Sequence, residues 1–156
     1  MTCSATSLLT RAVIPGMVER GRGAIINVAS LLAFSGAARA PHLRSRAVYA
    51  ATKTFLVTFT EILAAELAGT GVVVQVVCPG IVRTEFHSRQ GMDMSQVHRM
   101  EPEQIVAASF SDLVRGVVVS IPALPDESAK ARFDDAAAAL LAVARSKDLP
   151  PRYRAG

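Results

Sequence analysis

Tryptophan is absent from this chain, aromatic residues make up 5% of it, and 156 residues hold only two cysteines. Two thiols cannot build a disulfide framework, which sets aside the small secreted scaffolds. Cys78, at the end of an apolar run, reads as a packed thiol. No apolar run approaches the ~18 residues of a membrane span, and no charged-then-apolar leader opens the chain. The formal charge is only +4 and is spread along the sequence. Its densest basic patch, Arg39, Arg44 and Arg46 around Pro41-His42, has no interleaved aromatics. A solvated loop fits that patch better than a nucleic-acid surface. His42, His87 and His98 share no metal-ligand spacing, and no Gly-x-Ser-x-Gly elbow marks an esterase. The expectation is a cytoplasmic protein with no membrane, nucleic-acid or metal partner.

What is present is 51% hydrophobic and patterned, without internal repeats. Its length suits one domain able to bury roughly 70% of its unfolded surface. Ser4 to Arg20 has helical spacing, with Pro15 expected to kink or divide it and Gly21 to stop it. The run Gly23-Ala24-Ile25-Ile26-Asn27-Val28-Ala29-Ser30 reads as a strand ending in a hydroxyl. Ala47 to Ala68 is the longest helix, with an expected core stripe of Val48, Ala51, Phe55, Phe59, Ile62 and Leu63. A second β-branched run spans Gly71 to Cys78 and ends in Pro79-Gly80. Beyond an irregular stretch to Met100, Pro102 opens a helix reaching about Arg115. Gly116 to Ile121 reads as a strand stopped by Pro122. Asp126 then caps an Ala-rich helix to about Ser146, with Phe133, Leu140 and Leu141 expected to be buried. Residues 1–146 are read as the domain, and 147–156, including Tyr153, as a disordered tail.

Two apolar strands around one helix form a strand–helix–strand unit, and so an α/β fold with a parallel sheet covered on both faces. Ligands bind such sheets outside the carboxyl ends of the strands. Ser30 and Pro79-Gly80 lie at those ends, and the long helix begins beside them. In its first turn Tyr49 and Lys53 stand four residues apart, on one side. A phenol ordinarily titrates near ~10 and is a poor acid or base at neutral pH. A neighbouring cation favours the phenolate, and bringing a phenol to neutrality takes roughly 4 kcal/mol of such help.

The strings Ile-Ile-Asn-Val-Ala-Ser, Tyr-Ala-Ala-Thr-Lys and Val-Cys-Pro-Gly-Ile-Val-Arg-Thr together resemble the short-chain dehydrogenase/reductase superfamily. The likeness covers most of the chain. It implies hydride transfer between NAD or NADP and a small-molecule alcohol/carbonyl substrate. In that family a Ser polarises the reacting oxygen, a Tyr moves the proton, and a Lys holds the Tyr anionic and grips the nicotinamide ribose. By position these roles fall on Ser30, Tyr49 and Lys53. Asn27, Pro79, Gly80, Ile81 and Thr84 map onto the cofactor's nicotinamide end. Phe86, Met92 and Met94 either line a substrate pocket or simply cover the core. A homo-oligomer built on the two long helices is a family-level expectation.

The departures are as informative. The family's Thr-Gly-x-x-x-Gly-x-Gly phosphate loop and Asn-Asn-Ala-Gly strand do not occur, and Thr2 falls near a further family Asn. The interval from Ser30 to Tyr49 is long, holding Ala33 to Arg46. The chain therefore resembles the carboxyl-terminal portion of a partial Rossmann-like, doubly wound domain whose amino-terminal nucleotide-binding half is missing. The alternative to a working oxidoreductase is a truncated, inactive remnant or a subunit that acts only by association. The strand Ala24–Ala29 would then have a bare edge, with poor solubility or self-association as the consequence.

Overall fold

A computed structural model describes residues 2–37, 46–85, 89, 91, 93–143, 149 and 153. It divides into two units, Met1–Ala123 and Leu124–Gly156. The first unit holds α1 (Thr2–Glu19), β1 (Gly23–Val28), a 3₁₀ segment (Leu31–Ala37), α2 (Ala47–Glu66), β2 (Val72–Val77), α3 (Pro102–Val114) and β3 (Val119–Ser120). The second holds α4 (Ser128–Val143).

The strands form one parallel sheet in the order β1-β2-β3. Gly23 to Val28 pair residue for residue with Val72 to Val77. The run Val72-Val73-Val74-Gln75-Val76-Val77 is central, and all of it except Val73 is buried. Its β-branched side chains suit a strand covered on both faces. The expected third strand is shorter than its apolar run. Gly116, at φ +76, takes the left-handed turn that ends α3, and Val117 N–H bonds back to the Asp112 carbonyl. Only Val119 and Ser120 are left to pair with Val76 and Val77.

Helix α2 packs on β2 and on the 3₁₀ segment, with Leu56, Val57, Thr60 and Leu63 buried. Each fully buried aliphatic side chain there contributes roughly 1.5–3 kcal/mol. The expected stripe is turned: Val48 is 82% exposed and Ile62 56%, while Phe55 and Phe59 are half-buried and stacked on each other at 5.5 Å. Apolar residues encircle this helix, so periodicity alone could not choose its inner face. By length and composition α2 is also apolar enough to cross a membrane, which amends the expectation that no segment approaches a span. It carries Lys53, Glu61 and Glu66, and lays its buried face on protein.

Pro15 does not divide α1, which runs unbroken through it. Both Pro15 and Arg11 are exposed, so the Arg11 carbonyl that loses its amide partner faces water. Helix α3 starts on Pro102, with the Gln104 Oε1 accepting the Glu101 N–H at 2.9 Å. In α4, Phe133, Leu140 and Leu141 are exposed at 50%, 68% and 72%, against the expectation of burial. An Ala-rich helix offers so little bulk on any side that its three large residues do not define a core face. Cys78 is fully buried, as its place at the end of β2 implies. Most of residues 147–156 lie outside the described residues.

Candidate active site

The carboxyl end of β1 runs directly into Ser30, which is 9% exposed. Its Oγ accepts the Leu32 N–H at 3.2 Å, and its carbonyl accepts the Ala33 N–H at 2.9 Å as the 3₁₀ segment begins. A hydroxyl that accepts one bond still has its own O–H to donate. Ser30 is therefore held in place by acceptance and remains a donor.

Tyr49 stands in the first turn of α2, 40% exposed. The Lys53 ammonium sits 5.7 Å from the centroid of its ring, within cation–π range. The same ammonium donates to the Val28 carbonyl at 2.9 Å. That bond ties the start of α2 to the end of β1, two residues before Ser30. Thr54, the next residue, donates to the Ala33 carbonyl at 2.6 Å and fastens α2 to the 3₁₀ segment as well. Neither bond was legible beforehand, since a backbone carbonyl leaves no mark in a sequence and Thr54 belongs to no pattern.

The neighbouring strand contributes the next group. The Leu31 N–H donates to the Pro79 carbonyl at 2.8 Å, so Pro79-Gly80 abuts the Ser30 turn. Ile81 is 43% exposed, and Thr84 is exposed on the segment that follows. That segment is pinned to the entrance of α3. Met100 N–H donates to the Ile81 carbonyl at 3.0 Å, Arg83 N–H to the Met100 carbonyl at 2.9 Å, and the Arg83 guanidinium pairs with Glu101 at 2.6 Å.

Asn27 is placed differently from the rest. Its side-chain amide donates to Thr60 Oγ1 at 2.9 Å, and the Thr60 hydroxyl donates to the Leu56 carbonyl at 2.7 Å. It binds β1 to the middle of α2, away from the helix's first turn. Met94 is half-buried, while Phe86 and Met92 lie outside the described residues. A groove of about 410 Å³ between α1 and α2, lined by Arg11, Ile14, Phe59 and Glu66 among others, touches none of the candidate residues.

A family model described as short chain dehydrogenase matches residues 2–95, the stretch that carries Ser30, Tyr49, Lys53 and Pro79-Gly80. This chain belongs to the short-chain dehydrogenase family. An uncharacterised oxidoreductase of Myxococcus xanthus is 40% identical over 123 residues, covering 76% of this chain and 46% of the relative. A ketoacyl reductase of Nostoc sp. is 46% identical over 111 residues, covering 71% and 34%. Among solved structures, a short-chain dehydrogenase from Sphingobium yanoikuyae in complex with NADPH superposes with a TM-score of 0.86 at 32% identity, covering 98% of this chain and 58% of the other. The chain thus spans between a third and three-fifths of the length of these relatives.

Proposed function

We propose that this chain carries the proton-transfer side of an NAD(P)-dependent reductase site acting on an alcohol/carbonyl pair. The observation that carries the reading is the Lys53 ammonium, held between the Tyr49 ring and the Val28 carbonyl at the edge where Ser30 and Pro79-Gly80 meet. The ketoacyl reductase and the NADPH-bound enzyme among its relatives support the same class of chemistry.

The residues present fit the nicotinamide–ribose end of such a cofactor. An ammonium has three donors. One of them is spent on Val28, which leaves two for ribose hydroxyls. Pro79, Gly80, Ile81 and Thr84 line the adjoining turn and would hold the nicotinamide. The sequence has no Gly-rich loop to cradle the pyrophosphate, so nothing in it matches the other end of the cofactor. When bound, the cofactor supplies or accepts the hydride. The Ser30 O–H donates to the reacting oxygen and offsets the charge that builds there. Tyr49 gives its hydroxyl proton to that oxygen in reduction, or takes it in oxidation, and Lys53 stabilises the phenolate that results. A homo-oligomer is part of this reading, from the family.

The test is turnover of NADPH or NADH with a panel of ketones, followed by absorbance, for the chain and for Tyr49→Phe. General acid–base residues contribute about 10²–10⁴-fold, and a loss of that size is expected. A Tyr49→Phe protein with undiminished turnover would end the assignment. Absence of saturable cofactor binding at millimolar concentration would favour the reading as an inactive remnant or association-only subunit, which the missing phosphate loop supports.

A further inference from the structure

Just past the Pro79-Gly80 turn, a later piece of the chain comes to lie beside it. Val82 and Met100 form a parallel bridge, with the Met100 N–H on the Ile81 carbonyl and the Arg83 N–H on the Met100 carbonyl. Side chains alternate between the two faces of such a pairing, so the residues flanking the bridge share the face opposite Val82 and Met100. Arg83 and Glu101 meet there in an ion pair at 2.6 Å, as that alternation requires. The same rule sets Arg99 abreast of Ile81, on the same face. Ile81 directly follows Gly80, and the Pro79 carbonyl takes the Leu31 N–H next to Ser30. Arg99 is thereby brought to the turn that borders the candidate site.

The neighbouring charges are settled among themselves. Arg83 pairs with Glu101, and Arg89 with Glu85. Asp93 accepts the Ser95 N–H at 2.9 Å, and its bonds with Ser95 hold its carboxyl below the ordinary value, the charge of Arg99 being a lesser influence. Arg99 is half-buried and has no hydrogen bond or ion pair among the described residues, and its Nε is shut off from solvent without an acceptor. A guanidinium cannot shed its charge, and it offers five donors in a rigid fork. Donors of a cation withdrawn from water and left unaccepted are costly, and the same surroundings strengthen the pull on an anion.

We infer that Arg99 sets the substrate class: the alcohol/carbonyl compound taken at this site carries a carboxylate, which the Arg99 fork receives. A planar carboxylate matches a guanidinium in a two-bond grip. One unpaired cation with Asp93 in its field suits a single negative charge better than a dianionic phosphate. Arg83 and Lys53 are not free for that part, the first held by Glu101 and the second by the Val28 carbonyl. The inference rests on the proposed reaction for what the site does, while anion binding is measured without turnover.

The experiment follows the arginine Nε–H resonances of the ¹⁵N-labelled chain during titration with 4-oxopentanoate, its methyl ester and inorganic phosphate. The Arg99 signal is assigned by its loss in Arg99→Lys. A saturable shift of that signal is expected with the oxo acid, at least tenfold weaker binding of the neutral ester, and Arg83 and Arg89 signals that stay in place. Arg99→Gln should weaken binding of the oxo acid at least tenfold and leave the ester unaffected. Where that variant fails to fold, the comparison of acid with ester on the parent decides. Acid and ester bound alike overturn the inference, and so does phosphate bound as tightly as the oxo acid, an adventitious anion site only. An Arg99 signal that moves in Asp93→Asn and stays still throughout the titration makes Asp93 its partner and overturns it equally. Tyr49→Phe should bind the oxo acid like the parent. Oxo-acid binding at Arg99 with no oxidation of NADPH or NADH refutes the reaction and leaves this site standing. Turnover of acid and ester with equal kcat/KM refutes the inference and leaves the reaction.

Discussion

Replacing Gln75 by leucine sets two effects against each other at a fully buried position. Gln75 is 0% exposed in the middle of β2. Its amide donates to the Ser109 carbonyl at 3.1 Å and the Val117 carbonyl at 3.2 Å, and its Oε1 accepts the Ser109 hydroxyl at 2.6 Å. It thereby fastens α3 and the turn after it to the central strand. Area bookkeeping favours leucine by roughly 1–1.5 kcal/mol, because only the amide is exchanged for apolar carbon and the stem is already buried. Against this, the Val117 carbonyl and the Ser109 hydroxyl lose their partner, at about 1–3 kcal/mol each. The Ser109 carbonyl lies within α3 and has a helical partner, and the hydroxyl can turn toward the preceding turn, so the lower half of that range applies. Gln75→Leu should therefore destabilise the chain by about 2 kcal/mol and lower its melting temperature by roughly 4–8 °C. Urea unfolding of Gln75→Leu, Ser109→Ala and the double variant is the assay. Ser109→Ala alone should cost about 1 kcal/mol, and adding it to Gln75→Leu should cost almost nothing, a coupling of about 1 kcal/mol. A leucine variant as stable as the parent, or effects that simply add, would refute the network argument.

Gly71 (φ +79) and Gly69 (φ +79) share a backbone conformation but differ in surroundings: a Cβ on Gly71 would lie 2.0 Å from the Gly21 carbonyl oxygen, and one on Gly69 meets nothing within 4 Å. Gly69→Ala should thus cost only the left-handed strain of about 1–2 kcal/mol, while Gly71→Ala should cost well beyond that or fail to yield folded protein; equal melting temperatures would contradict this. Asp126 accepts the Ser128 N–H at 2.8 Å, and its bonds with Ser128 hold its carboxyl below the ordinary value. A depressed acid lends its stability above the unfolded value and loses it as pH falls through the folded one, so the start of α4 should fray below pH ~4, read as growing exchange of its first amides. Asp126→Asn should remove that pH dependence, and its persistence in the variant would discard the assignment.

The strands β1 and β2, the helix carrying Tyr49 and Lys53, and the Pro79-Gly80 turn could all be read before any coordinates. Their β-branched runs and Gly punctuation admit few alternatives. The inner face of α2 could not, because the exposed Val48 and Ile62 are as apolar as the buried Leu56 and Val57. Only the approach of β2 and the 3₁₀ segment decides between the two sides. The length of β3 was hidden for a related reason: Val117 looks like strand, but the Asp112 carbonyl and the Gln75 amide claim it for a turn, and Val118 meets β2 through its carbonyl, which accepts the Val76 N–H at 2.8 Å. At the site, side-chain identities were legible and backbone partners were not. The sequence pairs Lys53 with Tyr49, while the structure adds the Val28 carbonyl as its acceptor.

That acceptor bears on how much the Tyr49–Lys53 pair can do alone. The 5.7 Å from the Lys53 ammonium to the ring centroid is a cation–π distance, worth about 0.5–1 kcal/mol at an exposed site. Tyr49 is 40% exposed, so water reaches the pair and screens it. In the proposed reaction the pair would become a strong relay only where substrate and nicotinamide exclude water from the ring. Lys53 spends one donor on the Val28 carbonyl at 2.9 Å, so the group proposed to assist the proton transfer is also the one that fixes the start of α2 to β1.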